Sequence, residues 1–423
     1  MATILIIIIF LLMLFIVNKI GTINKFSKRM LTLYIAYWGI MLTLSSIGVA
    51  DLYRPSNFAL LTLFMAVLSF VVGFSLQKQT LYEKKDINIE SFNFLDEFIN
   101  SKGFIFLLFL AFVMSGYYFM KMRTALAFYE DLGEIRGMFF DNSLLGYYFI
   151  WLNHLFLQPM KYVCVLVFAY MLLYKRNWKF IIVTLFLLFY TSLSGGRFGY
   201  LSIAIGVLFV YYVFSHNIKL KLKHYILLFT LAIFFFALIS EVTSMRTGKG
   251  SLENSINAFL SYLCGPATAF DYAINNNYVE KLGGYQFGRY TFSAVDGLLM
   301  YFFNMLGVDY GNLIAELVEI KQNTQIVVGS GKTWNALYTG TLYYWLDGGF
   351  IGCIVFPFVV GMLFRWIVKL YFRYKTWAFL CLIAMFFQMK MHSVCDFSLY
   401  SPFLLLSIVY LYFIGRYTKV SVK

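Results

Sequence analysis

Charge is scarce in this chain. Of its 423 residues only 13% are Asp, Glu, Lys or Arg, while 61% are hydrophobic; a soluble domain carries about 25% charged residues. That deficit excludes a soluble globular enzyme and requires a polytopic membrane protein. Cysteine is scarce too. Cys164, Cys264, Cys353, Cys381 and Cys395 are scattered, mostly in apolar stretches, and no CxxC pair occurs. Neither a metal site nor a disulfide framework is supported, and no cofactor is implied. The 5 prolines form no hinge motif. No internal repeat or broken helix is evident, which counts against a transporter. The start, Met1-Ala2-Thr3-Ile4, lacks a basic n-region and a small-residue cleavage site, so a retained first span is expected rather than a signal peptide.

What the chain does have is long apolar runs. Runs of about 17–25 apolar residues mark spans, and they fall near 2–18, 30–50, 57–76, 104–120, 146–174, 180–194, 198–215, 225–242, 350–368, 377–391 and 397–414. The expected fold is an all-α polytopic membrane protein with about eleven transmembrane helices. Aromatic residues reach 21%, and much of the tyrosine fits interface anchoring. The net charge of +14 reports topology rather than nucleic-acid binding. Basic clusters follow the first, third, fifth, seventh and ninth spans, at Lys19–Arg29, Lys78–Lys102, Lys175–Lys179, Lys219–Lys223 and Arg365–Lys375. A sixth, Arg416–Lys423, ends the chain. All lie on one side, which is the cytoplasm by the positive-inside rule. The N-terminus is then outside and the C-terminus inside.

The outer side is dominated by one long loop. Residues 1–241 form an N-terminal bundle of about eight spans, 242–346 the outer loop, and 347–423 a C-terminal group of about three spans. A loop of that length is more than a connector. Within it, Leu260–Ala273 and Phe292–Leu306 read as interfacial or short buried helices. Asn335–Leu346 reads as a re-entrant or interfacial segment, because a full span there would reverse the basic cluster at Arg365–Lys375.

Several polar residues stand where the pattern makes them conspicuous. Arg197 lies in Ser194-Gly195-Gly196-Arg197, between two apolar runs and at the outer membrane face. An arginine there either snorkels to headgroups or awaits an anion, and the two glycines leave little room to snorkel. Its guanidinium offers a two-pronged fork to phosphate oxygens. Arg246, just after the eighth span, sits at the same depth, and Arg289 in Gly288-Arg289-Tyr290 is a third candidate. Asp347 precedes the ninth span, where it would serve as a helix N-cap as well as a reactive group. His392 closes the tenth span with Asp396 four residues on. Gly329-Ser330-Gly331-Lys332-Thr333 looks like part of a phosphate-binding loop, but Ile326 occupies the position of its first glycine, so it is read as a fortuitous Gly/Ser loop.

With these residues in place, the chain resembles the bacterial O-antigen and oligosaccharide repeat-unit polymerases (Wzy-type), and more distantly the O-antigen ligases. Four features carry the resemblance. They are the Ser-Gly-Gly-Arg turn at Arg197, Arg246 opening a large outer loop, the segment Leu263-Cys264-Gly265-Pro266-Ala267-Thr268-Ala269-Phe270-Asp271, and Asn335 followed by Asp347-Gly348-Gly349-Phe350-Ile351-Gly352. The resemblance implies a GT-C-like, inverting, metal-independent glycosyltransferase in the bacterial cytoplasmic (inner) membrane. Undecaprenyl-pyrophosphate-linked glycans would be both donor and acceptor. Membrane lipid, a chain-length regulator and a flippase would be partners, and nucleic acid would not. Arg197, Arg246 and Arg289 would bind the pyrophosphate. Asn335 would stand where ligase-like relatives have a His-Asn pair, but Trp334 precedes it here. The general base is left open among Asp347, Asn335, Asp271 and His392. An O-antigen ligase, or a flippase or other transporter of lipid-linked oligosaccharide, is the alternative.

Overall fold

The computed structural model describes residues 2–80, 93–128, 145–174, 177–193, 198–214, 230, 237, 252–323, 326–334, 338–374 and 377–393. These are mostly helical. Five helices are long and apolar enough to cross a membrane, and four shorter apolar helices accompany them among the described residues. Several long apolar helices make this a membrane protein. The run at 225–242, apart from residues 230 and 237, and the run at 397–414 lie outside the described residues.

The contacts divide the chain into two compact units. The first comprises Met1–Asp86, Asn257–Arg373 and Met389–Leu405; the second comprises Ile87–Ile256, Tyr374–Gln388 and Leu406–Lys423. In the first unit, α1 (Ala2–Lys19), α2 (Lys25–Ile47) and α3 (Asn57–Leu76) are antiparallel neighbours. Asn24 caps α2 by accepting from the Ser27 amide at 2.8 Å, and Ser56 caps α3 by accepting from the Ala59 amide. These side chains satisfy amides that a helix start leaves without partners. Facing them is α14 (Thr341–Tyr374). Gly73 and Gly361 let α3 and α14 touch backbone to backbone. A Cβ on Gly73 would sit 2.1 Å from the Phe358 carbonyl, and one on Gly361 would sit 2.4 Å from that of Phe70. Small residues at such crossings let membrane helices pack without a hydrophobic driving force.

The unit has two distinguishable ends. At one, α1 ends, α2 begins and α3 ends, close to Lys19, Lys25, Lys28, Arg29 and Lys78. Here the Arg365 guanidinium, fully buried, donates to Ser27 Oγ at 2.7 Å and lies over the Phe74 ring. Arg365 therefore sits inside the bundle rather than in the cationic fringe where its place in the Arg365–Lys375 cluster put it. At the other end lie residues 48–56 and the non-spanning elements α10 (Leu252–Asn275), α11 (Tyr278–Lys281), α12 (Ser293–Met305) and α13 (Leu313–Asn323), followed by the hairpin β1 (Ile326–Gly329) and β2 (Lys332–Trp334).

α14 is not one straight helix. Cys353 Sγ lies 3.8 Å from the Thr341 carbonyl oxygen, whereas residues 341 and 353 of a continuous helix would be about 18 Å apart along the axis. The backbone leaves helical geometry at Gly348 and Gly349. Gly349 has φ +59 and faces Tyr285, so a side chain there is excluded twice. Residues 341–347 thus fold back against the start of the long helix. The segment Asn335–Leu346, read from the sequence as re-entrant or interfacial, is described only from Tyr338, and its part from Thr341 onward is this fold-back. The absence of a broken helix, expected from the sequence, is corrected: the paired glycines Gly348 and Gly349 make the break. Likewise, the helix expected at Leu260–Ala273 is the longer α10, which runs on through Pro266. α12 matches its expected range closely.

The second unit holds α4 (Asn93–Asn100), α5 (Lys102–Phe128), α6 (Tyr147–Leu152), α7 (Gln158–Leu173), α8 (Lys179–Ser192), α9 (Phe198–Phe214) and most of α15 (Trp377–His392). α7 is its buried centre. A π-helical turn, Asn153–Leu157, joins α6 to α7 and brings Asn153 to the Tyr190 hydroxyl at 2.7 Å. Phe112 and Phe119 of α5 both stack on Phe189 of α8. Gly206 of α9 meets Val165 of α7 so closely that a Cβ would overlap it. Phe106, Phe109, Val113, Tyr117 and Met120 form an exposed apolar stripe along α5, as a lipid-facing helix surface requires.

Candidate functional site

The non-spanning end of the first unit is built on three acidic anchors. Asp271, near the end of α10, accepts from the Ser56 amide at 3.0 Å and from the Ser56 hydroxyl. One turn earlier, Thr268 donates to the Tyr53 carbonyl at 2.8 Å. These bonds fix α10 to the α2–α3 connection. The hairpin is held to the same connection. Tyr53 N–H donates to Val328 O at 2.7 Å, and Lys332 reaches the Ala50 carbonyl and lies 3.8 Å from the Asp51 carboxylate. The Gly329-Ser330-Gly331-Lys332 sequence is therefore a hairpin turn, with Gly331 at φ +64, as its reading as an ordinary Gly/Ser loop anticipates.

Asp347 is the second anchor. It is 1% exposed, and its two oxygens accept from the Tyr290 and Thr291 amides at 3.0 and 2.6 Å. The adjoining backbone joins in, with Gln286 N–H on Leu346 O and Phe287 N–H on Asp347 O. The N-cap role expected for Asp347 is corrected. It is the last residue before the break in α14, and its carboxylate binds a segment more than fifty positions upstream (Tyr290 and Thr291). A carboxylate so enclosed ties residues 286–291 to the fold-back and is not presented to an incoming hydroxyl.

Asp296, in the first turn of α12, is the third. Arg289 Nε donates to it at 2.8 Å and Nη2 at 3.4 Å, while Nη2 also donates to Gly311 O. The guanidinium lies 4.4 Å from the Tyr310 ring centre, and the Tyr310 hydroxyl donates to Asp296 at 2.6 Å. Burial opposes the charge of Arg289, but the contacts with Asp296 and Tyr310 outweigh it and hold the group protonated beyond its usual range. Burial, reinforced by Asp296, raises the Tyr310 phenol. Arg289 is thus committed through Nε and Nη2, and only Nη1 is left to meet an anion.

The other sequence candidates are placed as follows. Arg197, between α8 and α9, lies outside the described residues, as do Arg246 and Asn335. His392 is the last residue of α15, and its side chain is also outside them. The adjoining Ser393 carbonyl accepts from the Thr339 hydroxyl at 3.0 Å and the Gly340 amide at 2.7 Å, so the end of α15 meets the start of the fold-back. The described candidates Asp271, Asp347 and Arg289 share one end of the first unit but make no contact with one another. Among the described residues, no group of three His, Cys, Asp or Glu is placed to hold a metal ion.

Sequence reasoning missed Lys390. It is 4% exposed, donates to the Tyr344 hydroxyl at 3.2 Å, and lies 4.6 Å from the Phe70 ring centre and 5.9 Å from that of Tyr34. A buried lysine among aromatic faces is held by cation–π attraction, and ionisable residues within spans mark functional positions. The signal was present, a lone lysine in the apolar run Trp377–Met391. Comparison with known proteins adds no relative: no family model, no curated protein and no solved structure matches the chain.

Proposed function

We propose that this protein is a membrane glycosyltransferase that joins lipid-linked oligosaccharide repeat units into polysaccharide on the outer face of a bacterial cytoplasmic membrane. The substrates would be undecaprenyl-pyrophosphate-linked glycans, and the product an O-antigen or capsular polymer. The reaction breaks the bond between the donor sugar's anomeric carbon and the pyrophosphate oxygen. That oxygen keeps the electron pair, and the acceptor hydroxyl bonds to the anomeric carbon as its proton passes to a base. Negative charge grows on the pyrophosphate, so fixed cations at a water-poor site accelerate the step. Arg197 and Arg246 are the proposed cations, with Nη1 of Arg289 as a third donor.

The observation that supports this reading best is the non-spanning segment at the end of the first unit opposite Lys19, Lys25, Lys28 and Arg29. If that basic end faces the cytoplasm, the segment with Asp271, Arg289 and Asp347 faces outward, where carrier-linked repeats are polymerised. The enclosure of Asp347 leaves Asp271 and His392 as the candidates that can take up the proton, with Asn335 able to hydrogen-bond the acceptor hydroxyl.

The broken helix at Gly348-Gly349 favours a second reading, a transporter of lipid-linked oligosaccharide, because transporters build substrate sites from such breaks. Arg197→Ala and Arg246→Ala separate the two in cells. Loss of polymerisation leaves single repeats on their carrier at the outer face, open to an added glycosidase. Loss of transport leaves them at the inner face, protected. Full-length polymer in both variants would rule out the pyrophosphate role.

A further inference from the structure

α12 has a face that its own unit does not cover. Its first turn is fixed: Ser293, Ala294 and Asp296 are buried, and Asp296 is bonded to Arg289 and Tyr310. This fixes the roll of the helix and turns Val295, Leu298, Leu299, Phe302 and Met305 outward at helical spacing, all exposed. Residues after the helix fold back along it. The Tyr310 amide donates to the Asn304 side chain, and Tyr310 stacks on Phe303 at 5.4 Å. The result is a finger whose tip, Met305-Leu306-Gly307-Val308, is apolar, with Met305 80% exposed.

An exposed apolar face needs an occupant, and two observations name it. First, Phe292, at the root of the finger, packs edge-on against Phe356 of α14. Ile351, Val355, Met362 and Trp366 of the same helix are exposed along a lipid-facing stripe, so the finger starts level with the lipid-facing part of a span. Second, residues 293–312 contain no Lys or Arg, and of their two acids Asp296 is paired with Arg289 while the exposed Asp309 lies beyond the apolar tip. The face is therefore suited to acyl chains and not to an acidic partner.

We propose that residues 293–308 form a finger inserted in the lipid leaflet at the non-spanning end of the first unit, with the apolar face of α12 lying among acyl chains. This goes beyond the proposed glycosyl transfer and stands without it. Lacking basic residues, the finger is held by apolar burial alone, so its insertion is indifferent to anionic lipid.

The test uses the full-length protein in nanodiscs, with an environment-sensitive fluorophore on Phe302→Cys or Met305→Cys and on Glu319→Cys, an exposed position of α13, as reference. The native cysteines in the described residues are buried. An interfacial helix lies about 5–10 Å into the headgroup and acyl boundary, so lipids carrying a nitroxide on the upper acyl chain should quench positions 302 and 305 at least about twofold more than 319. The ratio should be the same in zwitterionic and anionic discs. Equal quenching at all three positions overturns the proposal. So does a 305–305 crosslink between copies without quenching, which would assign the face to a second copy. Quenching that appears only with anionic lipid also overturns it.

Discussion

The ammonium of Lys390 donates to the Tyr344 hydroxyl at 3.2 Å, which joins α15 to the fold-back of α14 inside the first unit. The Phe70 and Tyr34 rings complete the surroundings of the amine. A charge in such a place is costly to hold, and its presence at the fold-back suggests work beyond packing.

Lys390→Met keeps the length of the side chain and removes the charge. Thermal stability of the purified protein should not fall, because a buried ion replaced by an apolar group of similar size is often neutral or stabilising. Polymer formation should drop at least about tenfold if the amine serves function. Tyr344→Phe leaves the amine without its hydroxyl and should destabilise by about 1–3 kcal/mol. Full activity in Lys390→Met would reduce the lysine to a packing residue.

Asp347→Asn sets an amide NH2 against one of two backbone N–H groups, two donors facing each other. The loss should be about 1–3 kcal/mol, read as a lower thermal midpoint together with faster proteolysis within 283–291. Were Asp347 the proton acceptor instead, Asp347→Asn would lose activity with residues 283–291 as protected as before.

The break in α14 makes a sharp distinction among neighbouring glycines. Gly349→Ala forces a side chain into a positive-φ backbone that essentially only glycine adopts, at a cost of about 1–3 kcal/mol, and pushes it against Tyr285. Gly352→Ala places a Cβ 2.3 Å from the Tyr344 carbonyl. Both should lower the yield of folded protein in size-exclusion profiles. Gly348→Ala should be tolerated, since the nearest atom is Phe356 Cε2 at 3.8 Å.

Arg289 and Asp296 set the root of the finger, and their interaction is measurable by a double-mutant cycle. Arg289→Ala and Asp296→Ala should each destabilise, and the double variant should cost less than the two together, by about 1 kcal/mol for a partly exposed pair. Simple additivity in urea or thermal unfolding would mean the pair does not set the finger.

Periodicity and length alone carried much of the fold. The run at 57–76 is α3 with the same bounds, because apolar length and the Ser56 cap leave little choice. The fold-back was visible indirectly, since a span at Asn335–Leu346 would have inverted the basic cluster beyond it. What the sequence hid was tertiary. The amides that bind Asp347 lie more than fifty positions upstream, and local pattern offers only the N-cap. Arg365 reads as one of a basic cluster because its partners, Ser27 and Phe74, come from two other helices. The helix expected at Leu260–Ala273 already ran through Pro266, but its true start, at Leu252, was not visible. Of the site, the sequence named Asp271, Arg289 and Asp347 but not their ties to Ser56, Asp296 and the Tyr290-Thr291 amides.

The most direct measurement is reconstitution. The purified protein, in liposomes with a single undecaprenyl-pyrophosphate-linked repeat unit and no other enzyme, should convert it into a ladder of longer lipid-linked glycans. One undecaprenyl pyrophosphate should be released for each linkage formed. Arg197→Ala and Arg246→Ala should abolish both. A substrate left at unit length in the presence of folded protein, or moved across the bilayer without being lengthened, contradicts a polymerase.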